Sequence, residues 1–147
     1  MGTRPNQAQR YRERTYRTRM SRPGLVSFRV AVQETDLLVM AARDLSPEVR
    51  RLVVAQRRQL EDYLQAHPAF LTTLTPWPED PYAPPVVRDM IAAGDRAGVG
   101  PMAAVAGALA ERVGRALMAD STEVIVENGG DIFLALTAPA TVALFAG

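Results

Sequence analysis

The residue types best suited to chemistry lie in the stretch VENGGDIFLAL, residues 126–136. There, Asn128, two glycines and Asp131 stand between two apolar runs. Glycines leave the backbone bare, so that a bound group can approach it, and a nearby carboxylate can orient a metal or accept a hydrogen bond. Asn-Gly is also a strong signal for a hairpin turn, which would need only Asn128 and Gly129. Gly130 and the acid are surplus to that turn, and the residues alone leave both interpretations open.

A second glycine-rich stretch, residues 98–102, includes Gly98, Gly100, Pro101 and Met102. Proline suits the first position of a helix, and the apolar residues that follow predict a buried helix from Pro101. The start of such a helix presents unpaired N–H groups and the positive end of its dipole, which together favour a phosphate or carboxylate. The alternative is that these glycines only allow close packing.

The spacing Gly98-x-Gly100-x-x-Ala103 also fits a dinucleotide-binding fingerprint, in which Glu127 would be the ribose-binding acid. That fingerprint needs a strand directly before its first glycine. Residues 86–93 instead predict a short helix, which argues against a dinucleotide site of this kind.

Composition narrows the classes of function. The chain has 147 residues, 48% of them hydrophobic and 22% charged, as expected of one globular domain with a core. It has no cysteine, which excludes disulfides, thiolate zinc sites and thiol nucleophiles, and its single histidine, His67, disfavours a serine–histidine triad. No catalytic or metal-ligating residue is assigned. With no long apolar span and no signal peptide, we expect a cytoplasmic protein without a membrane partner.

Arginines dominate the first thirty residues, where Glu13 is the one acid. They could bind nucleic acid, with Tyr11 and Tyr16 as stacking platforms, or they could line a solvated strand edge. Because no nucleic-acid motif accompanies them, we expect no nucleic-acid partner. The arginines are Arg4, Arg10, Arg12, Arg14, Arg17, Arg19, Arg22 and Arg29.

Local patterns predict the elements that would position these residues. Strands are expected within residues 10–20, 26–33 and 37–42, and a helix from Ser46, which would cap it. Two further strands would flank the glycine pair. The proline-rich residues 75–85 predict an ordered loop, either a lid over a ligand or a surface loop pinned by Trp77 and Tyr82.

ENGGDIFLAL resembles the strand–turn–strand motif of the ApbE superfamily, the FAD:protein FMN transferases. AGVGPMAAVAGALAE, residues 97–111, is similar to the characteristic helix of a smaller family within that superfamily. The resemblance implies an α+β fold, with a mixed or antiparallel sheet flanked by helices, in a single ApbE-like domain covering residues 1–147. It also implies that this domain is incomplete, because the superfamily's C-terminal, metal-binding segment has no counterpart after TVALFAG.

For the transferases the resemblance implies FAD and Mg²⁺ as cofactors and transfer of FMN to an acceptor protein. It places Asn128, Gly129, Gly130 and Asp131 at a ligand-facing turn. The stretch from Gly98 to Met102 would bring a helix terminus to the same cleft.

Two functions therefore remain open. One is binding of a flavin nucleotide or another phosphate-bearing small molecule, with metal-assisted FMN transfer as the accompanying reaction. The other is a non-catalytic binding or assembly protein, linked through the smaller family to anaerobic sulfur assimilation and homocysteine formation. Self-association into a homo-oligomer is a further expectation.

Overall fold

Strands and helices alternate in blocks along the chain. The computed structural model describes residues 15–143. Its strands are β1 (Val26–Val32), β2 (Thr35–Ala41), β3 (Val124–Asn128) and β4 (Asp131–Ala135), and its α-helices are α1 (Ser46–Ala66), α2 (Pro85–Ala97) and α3 (Val105–Leu117). Three short 3₁₀ segments cover Thr15–Arg19, Pro68–Leu71 and Pro101–Ala104. The predicted α+β class is confirmed.

The four strands form one sheet in the order β1-β2-β3-β4, and every neighbouring pair is antiparallel. The two hairpins, β1–β2 and β3–β4, are therefore joined in the centre of the sheet by pairing of β2 with β3. All three helices lie in the connection between these two central strands.

The helices bury one face of the sheet, which we call the inner face. Alternate strand residues point to this face because successive side chains in a strand alternate in direction. Its core comprises Phe28, Val30, Leu37, Val39, Ala41, Val124 and Val126 from the strands, and Leu45, Val49, Val53, Ala110, Val113 and Leu117 from the helical side. A second cluster, which includes Phe70 and Met90, joins α2 to the C-terminal end of α1 and to the N-terminal half of α3.

Helix α1 begins differently from the prediction. Leu45, not Ser46, is the N-cap, and no side chain caps the helix. The amide of Ser46 donates instead to the carboxylate of Asp44 at 2.8 Å. The expectation of a Ser46 cap is therefore wrong, whereas the helix itself is present.

The predicted strand in residues 10–20 is also not a strand where it can be compared. Residues 15–19 form a 3₁₀ turn, and the rest of the basic stretch before residue 15, with Tyr11, lies outside the described residues. The predicted strands in residues 26–33 and 37–42 correspond to β1 and β2. No helix within residues 15–143 is long and apolar enough to span a membrane.

Candidate ligand-binding groove

The glycine pair of the ENGGDIF stretch is the turn between β3 and β4. Asn128 and Asp131 are paired strand residues that close it. Gly129 has φ 59° and Gly130 has φ 103°, so both central positions are left-handed, as a tight two-residue hairpin requires. The turn is thus formed by the two glycines and not by Asn128 and Gly129. Gly130 is needed by the hairpin itself and is not surplus to it.

A buried carboxylate anchors this turn. Glu127 is fully buried, and its Oε1 accepts the backbone N–H of Gly130 at 2.9 Å. The same carboxylate accepts Tyr16 Oη at 2.5 Å and Arg17 Nε at 2.6 Å. Glu127 therefore cannot contact a ribose, and α2 rather than a strand precedes Gly98, so both conditions of the dinucleotide fingerprint fail.

Two arginines near the described N-terminus, Arg17 and Arg29, contact acids of the sheet. Arg17 also lies 3.3 Å from Asp36 Oδ1, and Arg29 Nε donates to the same atom at 2.7 Å. Burial acts to lower the pKa of Arg17, but the charges of Glu127 and Asp36 raise it above its ordinary value. These side chains lie on the outer face of the sheet, opposite the helices, and fix the Thr15–Arg19 segment there.

The second glycine stretch is exposed at Gly98 and buried at Gly100 and Pro101. Gly98 has φ 69° and ends α2. A Cβ at Gly100 would come within 2.0 Å of the carbonyl oxygen of Thr73, so only glycine fits. Pro101 is buried, and Met102 packs against the second core cluster. Close packing therefore explains Gly100, whereas the left-handed backbone at the end of α2 explains Gly98.

An open groove of about 1050 Å³ lies between α2, α3 and β4. Its charged lining residues are Asp89, Arg96, Glu111, Arg112, Arg115 and Asp131. Of the eight residues predicted for the site, only Asp131 lines this groove. Asn128 lies nearby, since its Nδ2 donates to the carbonyl of Ala106 in α3 at 3.1 Å. The stretch from Gly98 to Met102 does not line the groove, contrary to the shared cleft that the sequence predicted.

Small residues leave the floor of the groove bare. These are Ala92 and Ala93 of α2, and Ala104, Gly107, Ala108 and Ala116 on the other side. A Cβ on Gly107 would lie 3.8 Å from the carboxylate of Asp131, so the acid stands directly over the helix backbone. The carboxylate of Asp131 makes no hydrogen bond or ion pair with another residue in 15–143.

Two of the three arginines in the groove are held in place by acids. Arg112 Nε lies 2.9 Å from Asp89 Oδ2, which ties α3 to α2. Arg115 Nη2 lies 2.7 Å from Glu111 Oε1, one turn earlier in α3. Sequence reasoning missed all of them, because the acids and arginines look like ordinary solvated helix residues until the helices are packed side by side.

The aromatic loop does not form a lid. The Trp77 ring packs edge-on against Phe70, with 5.3 Å between ring centroids, and also contacts His67. Tyr82 is 96% exposed. Trp77 therefore pins the proline-rich loop to the protein, which agrees with the surface-loop interpretation.

The comparison with known proteins decides the family. A family model described as "AbpE bacteria" matches residues 17–147. The chain belongs to this family. The predicted membership of the ApbE superfamily of FMN transferases is therefore wrong: two short motifs, a hairpin and a small-residue helix, were too little to identify a superfamily.

Curated relatives of this chain are named UPF0280 proteins. That of Methanococcoides burtonii is 37% identical over 118 residues, covering 79% of this chain and 50% of the relative. That of Methanocaldococcus jannaschii is 38% identical over 120 residues, covering 81% and 48%. That of Methanopyrus kandleri is 39% identical over 109 residues, covering 74% and 44%. The chain spans about half the length of these relatives.

Proposed function

We propose that this protein binds a phosphate-bearing small molecule in the groove between α2, α3 and β4. The observation that carries the proposal is the presence of Arg96, Arg112 and Arg115 around a floor of alanine and glycine. Its volume of about 1050 Å³ is slightly above the range of about 300–1,000 Å³ usual for small-molecule sites.

Guanidinium groups suit phosphate because their planar donors match its oxygens in pairs. Asp89 and Glu111 lie within 2.9 Å and 2.7 Å of Arg112 and Arg115 and orient them, although both pairs are partly exposed. Arg96 makes no ion pair with the described residues and supplies a cation without a bound acid. The groove thus offers three guanidinium groups to a phosphate, two of them paired with acids and one, on Arg96, without such a pair among the described residues.

Asp131 of β4 adds a hydrogen-bond acceptor to the groove, whose arginines come from α2 and α3. A lone carboxylate beside bare backbone can accept a sugar hydroxyl. It can also hold Mg²⁺ together with ligand phosphates, because Mg²⁺ commonly takes one or two carboxylates and completes its shell with phosphate and water. No group of three or more metal-ligating acids or histidines occurs within residues 15–143, so such an ion would depend on the ligand.

The groove fits a phosphate better than it fits a flavin ring. Phe133 is the aromatic residue of its lining, and that ring lies against Gly114, where an added Cβ would come within 2.0 Å of it. The groove therefore has side chains suited to the phosphate of a flavin nucleotide, but its aromatic ring is packed against α3 and is not free to stack on the flavin ring.

Calorimetric titration of the 147-residue protein with AMP, FMN, FAD and inorganic phosphate, with and without Mg²⁺, tests the proposal. We expect Arg96→Gln and Arg115→Gln to weaken binding of the nucleotides. Arg51→Gln, which removes an exposed arginine of α1 away from the groove, is the matched control. Equal affinity in all three variants, or no binding of any of these compounds, would reject the groove as a phosphate site.

Metal-assisted transfer of FMN from FAD came with the superfamily resemblance and has lost that support. It stays a prediction, as does an acceptor protein, and release of AMP from FAD in the presence of Mg²⁺ is its test. The link to anaerobic sulfur assimilation has the same origin and also stays a prediction. Binding of a phosphate-bearing molecule without a reaction requires only the residues of the groove.

A further inference from the structure

Strand β4 leaves one edge of the sheet open. Within residues 15–143 it pairs with β3 alone. The residues closing a two-residue hairpin bond to each other, so the backbone groups of Asp131, Phe133 and Ala135 face β3. Those of Ile132 and Leu134 consequently point away from the sheet. Between the turn and Ala135 the strand has no proline or lysine, which commonly protect such edges.

The side chains of this edge are apolar as well. Ile132 is 36% exposed and Leu134 is 40% exposed, and both point to the outer face. The opposite edge of the sheet is different: Arg50 of α1 donates to the carbonyl of Ala31 in β1, and β1 carries Arg29. The β1 edge also exposes an apolar side chain, Val26 at 46%, but the backbone groups of Val26 face β2. Among the described strands, the β4 edge is the one where the residues with open backbone groups, Ile132 and Leu134, also carry exposed apolar side chains.

We propose that β4 pairs antiparallel with β4 of a second copy of this chain, about a two-fold axis at Phe133. In that register all five residues overlap. Ile132 lies opposite Leu134 of the other copy, and their outward-pointing N–H and C=O groups form four hydrogen bonds. Centring the axis on Ile132 or on Leu134 would satisfy only the groups of the central pair directly and would place the second pair against residues outside the strand.

The charges and the apolar side chains of β4 are compatible with a second copy as the occupant of this edge. In the Phe133-centred register Asp131 lies opposite Ala135, so no like charges face each other, and two isoleucine–leucine pairs form on the outer face. Pairing of two copies produces a continuous eight-stranded sheet.

The oligomeric state in the absence of ligand tests this pairing independently of the groove. Sedimentation equilibrium over a concentration series should show a dimer for the unmodified chain. Leu134→Lys should raise the dimer dissociation constant by at least about tenfold, because it replaces two apolar pairs. Leu74→Lys, at a residue 86% exposed and away from β4, should leave it unchanged. Far-ultraviolet circular dichroism checks that the variants are folded.

Cross-linking tests the register. Because the chain has no cysteine, Ile132→Cys and Leu134→Cys introduce single thiols. Paired residues of this type have Cα atoms about 5.5 Å apart, within the range for a disulfide. Oxidation of a mixture of the two variants should give the mixed dimer in excess over either homodimer. A monomer at every concentration, in which case another polypeptide covers the edge, or a dimer that withstands Leu134→Lys, would overturn the proposal.

Discussion

Glu127 accepts a hydrogen bond from the backbone N–H of Gly130 at 2.9 Å, so a buried acid at the end of β3 closes the turn that follows it. The same carboxylate is paired with Arg17, which joins the turn to the Thr15–Arg19 segment across the outer face of the sheet.

Glu127→Gln should destabilise the protein strongly. It keeps the size of the side chain but leaves the guanidinium of Arg17, whose side chain is 11% exposed, without its nearest anion. Breaking a buried pair costs about 3–5 kcal/mol, and the second acid at Asp36 places this change at the lower end. Urea unfolding measures it. Glu111→Gln, which breaks an exposed pair in α3, should cost less than about 1 kcal/mol; equal losses would contradict the assigned role.

Two glycines of α3 should respond oppositely to alanine. At Gly114 an added Cβ would lie 2.0 Å from the Phe133 ring, so Gly114→Ala should destabilise by about 1–3 kcal/mol through overpacking. At Gly107 the nearest atom is 3.8 Å away, and Gly107→Ala should stabilise by roughly 0.5–1 kcal/mol through helix propensity. Thermal unfolding of both variants gives the comparison. A gain in stability at Gly114 would contradict the packing of β4 on α3.

Substitutions at the two glycines of the hairpin turn should destabilise the protein to different extents. Gly130 has φ 103°, so Gly130→Ala should cost at least about 1–2 kcal/mol, although space is open around it. Gly129→Asn should cost less, because asparagine tolerates φ near 59°. Denaturant unfolding provides the measurement, and a neutral Gly130→Ala would show that the turn can adopt another conformation.

Acid should weaken the contact between the outer face and the segment after β4. Hydrogen bonds from Arg22 and then from Thr137 lower the pKa of Glu123 from 4.5 to about 2. Because the folded state favours the charged form, its contribution is fully present above about pH 4.5 and is lost as the pH falls towards 2. Glu123→Gln should flatten this part of the stability profile, measured by urea unfolding at a series of pH values. Glu79→Gln, an exposed acid, is the control; identical profiles would refute the assignment.

The periodicity of the sequence was sufficient for most elements. Alternation in residues 26–32 and the apolar stripe of residues 46–66 correspond to β1 and α1, because each pattern reflects burial of one side of an element. The Thr15–Arg19 segment was misread as a strand. Its conformation depends on ion pairs with Glu127 and Asp36, which are 110 and 19 residues away from Arg17.

In the candidate site, one residue could be predicted from the sequence and the others only from the tertiary structure. Asp131 could be selected from its neighbours in the chain, because an acid beside paired glycines is conspicuous. Arg96, Arg112 and Arg115 could not, since nothing in an amphipathic helix shows whether its polar side meets solvent or another helix. The chain by itself determined most of the elements and the presence of a tight turn beside Asn128, because these features depend on nearby residues. Packing of α2 and α3 beside β4 alone decided which charges share a groove, because that grouping depends on contacts between residues distant in sequence.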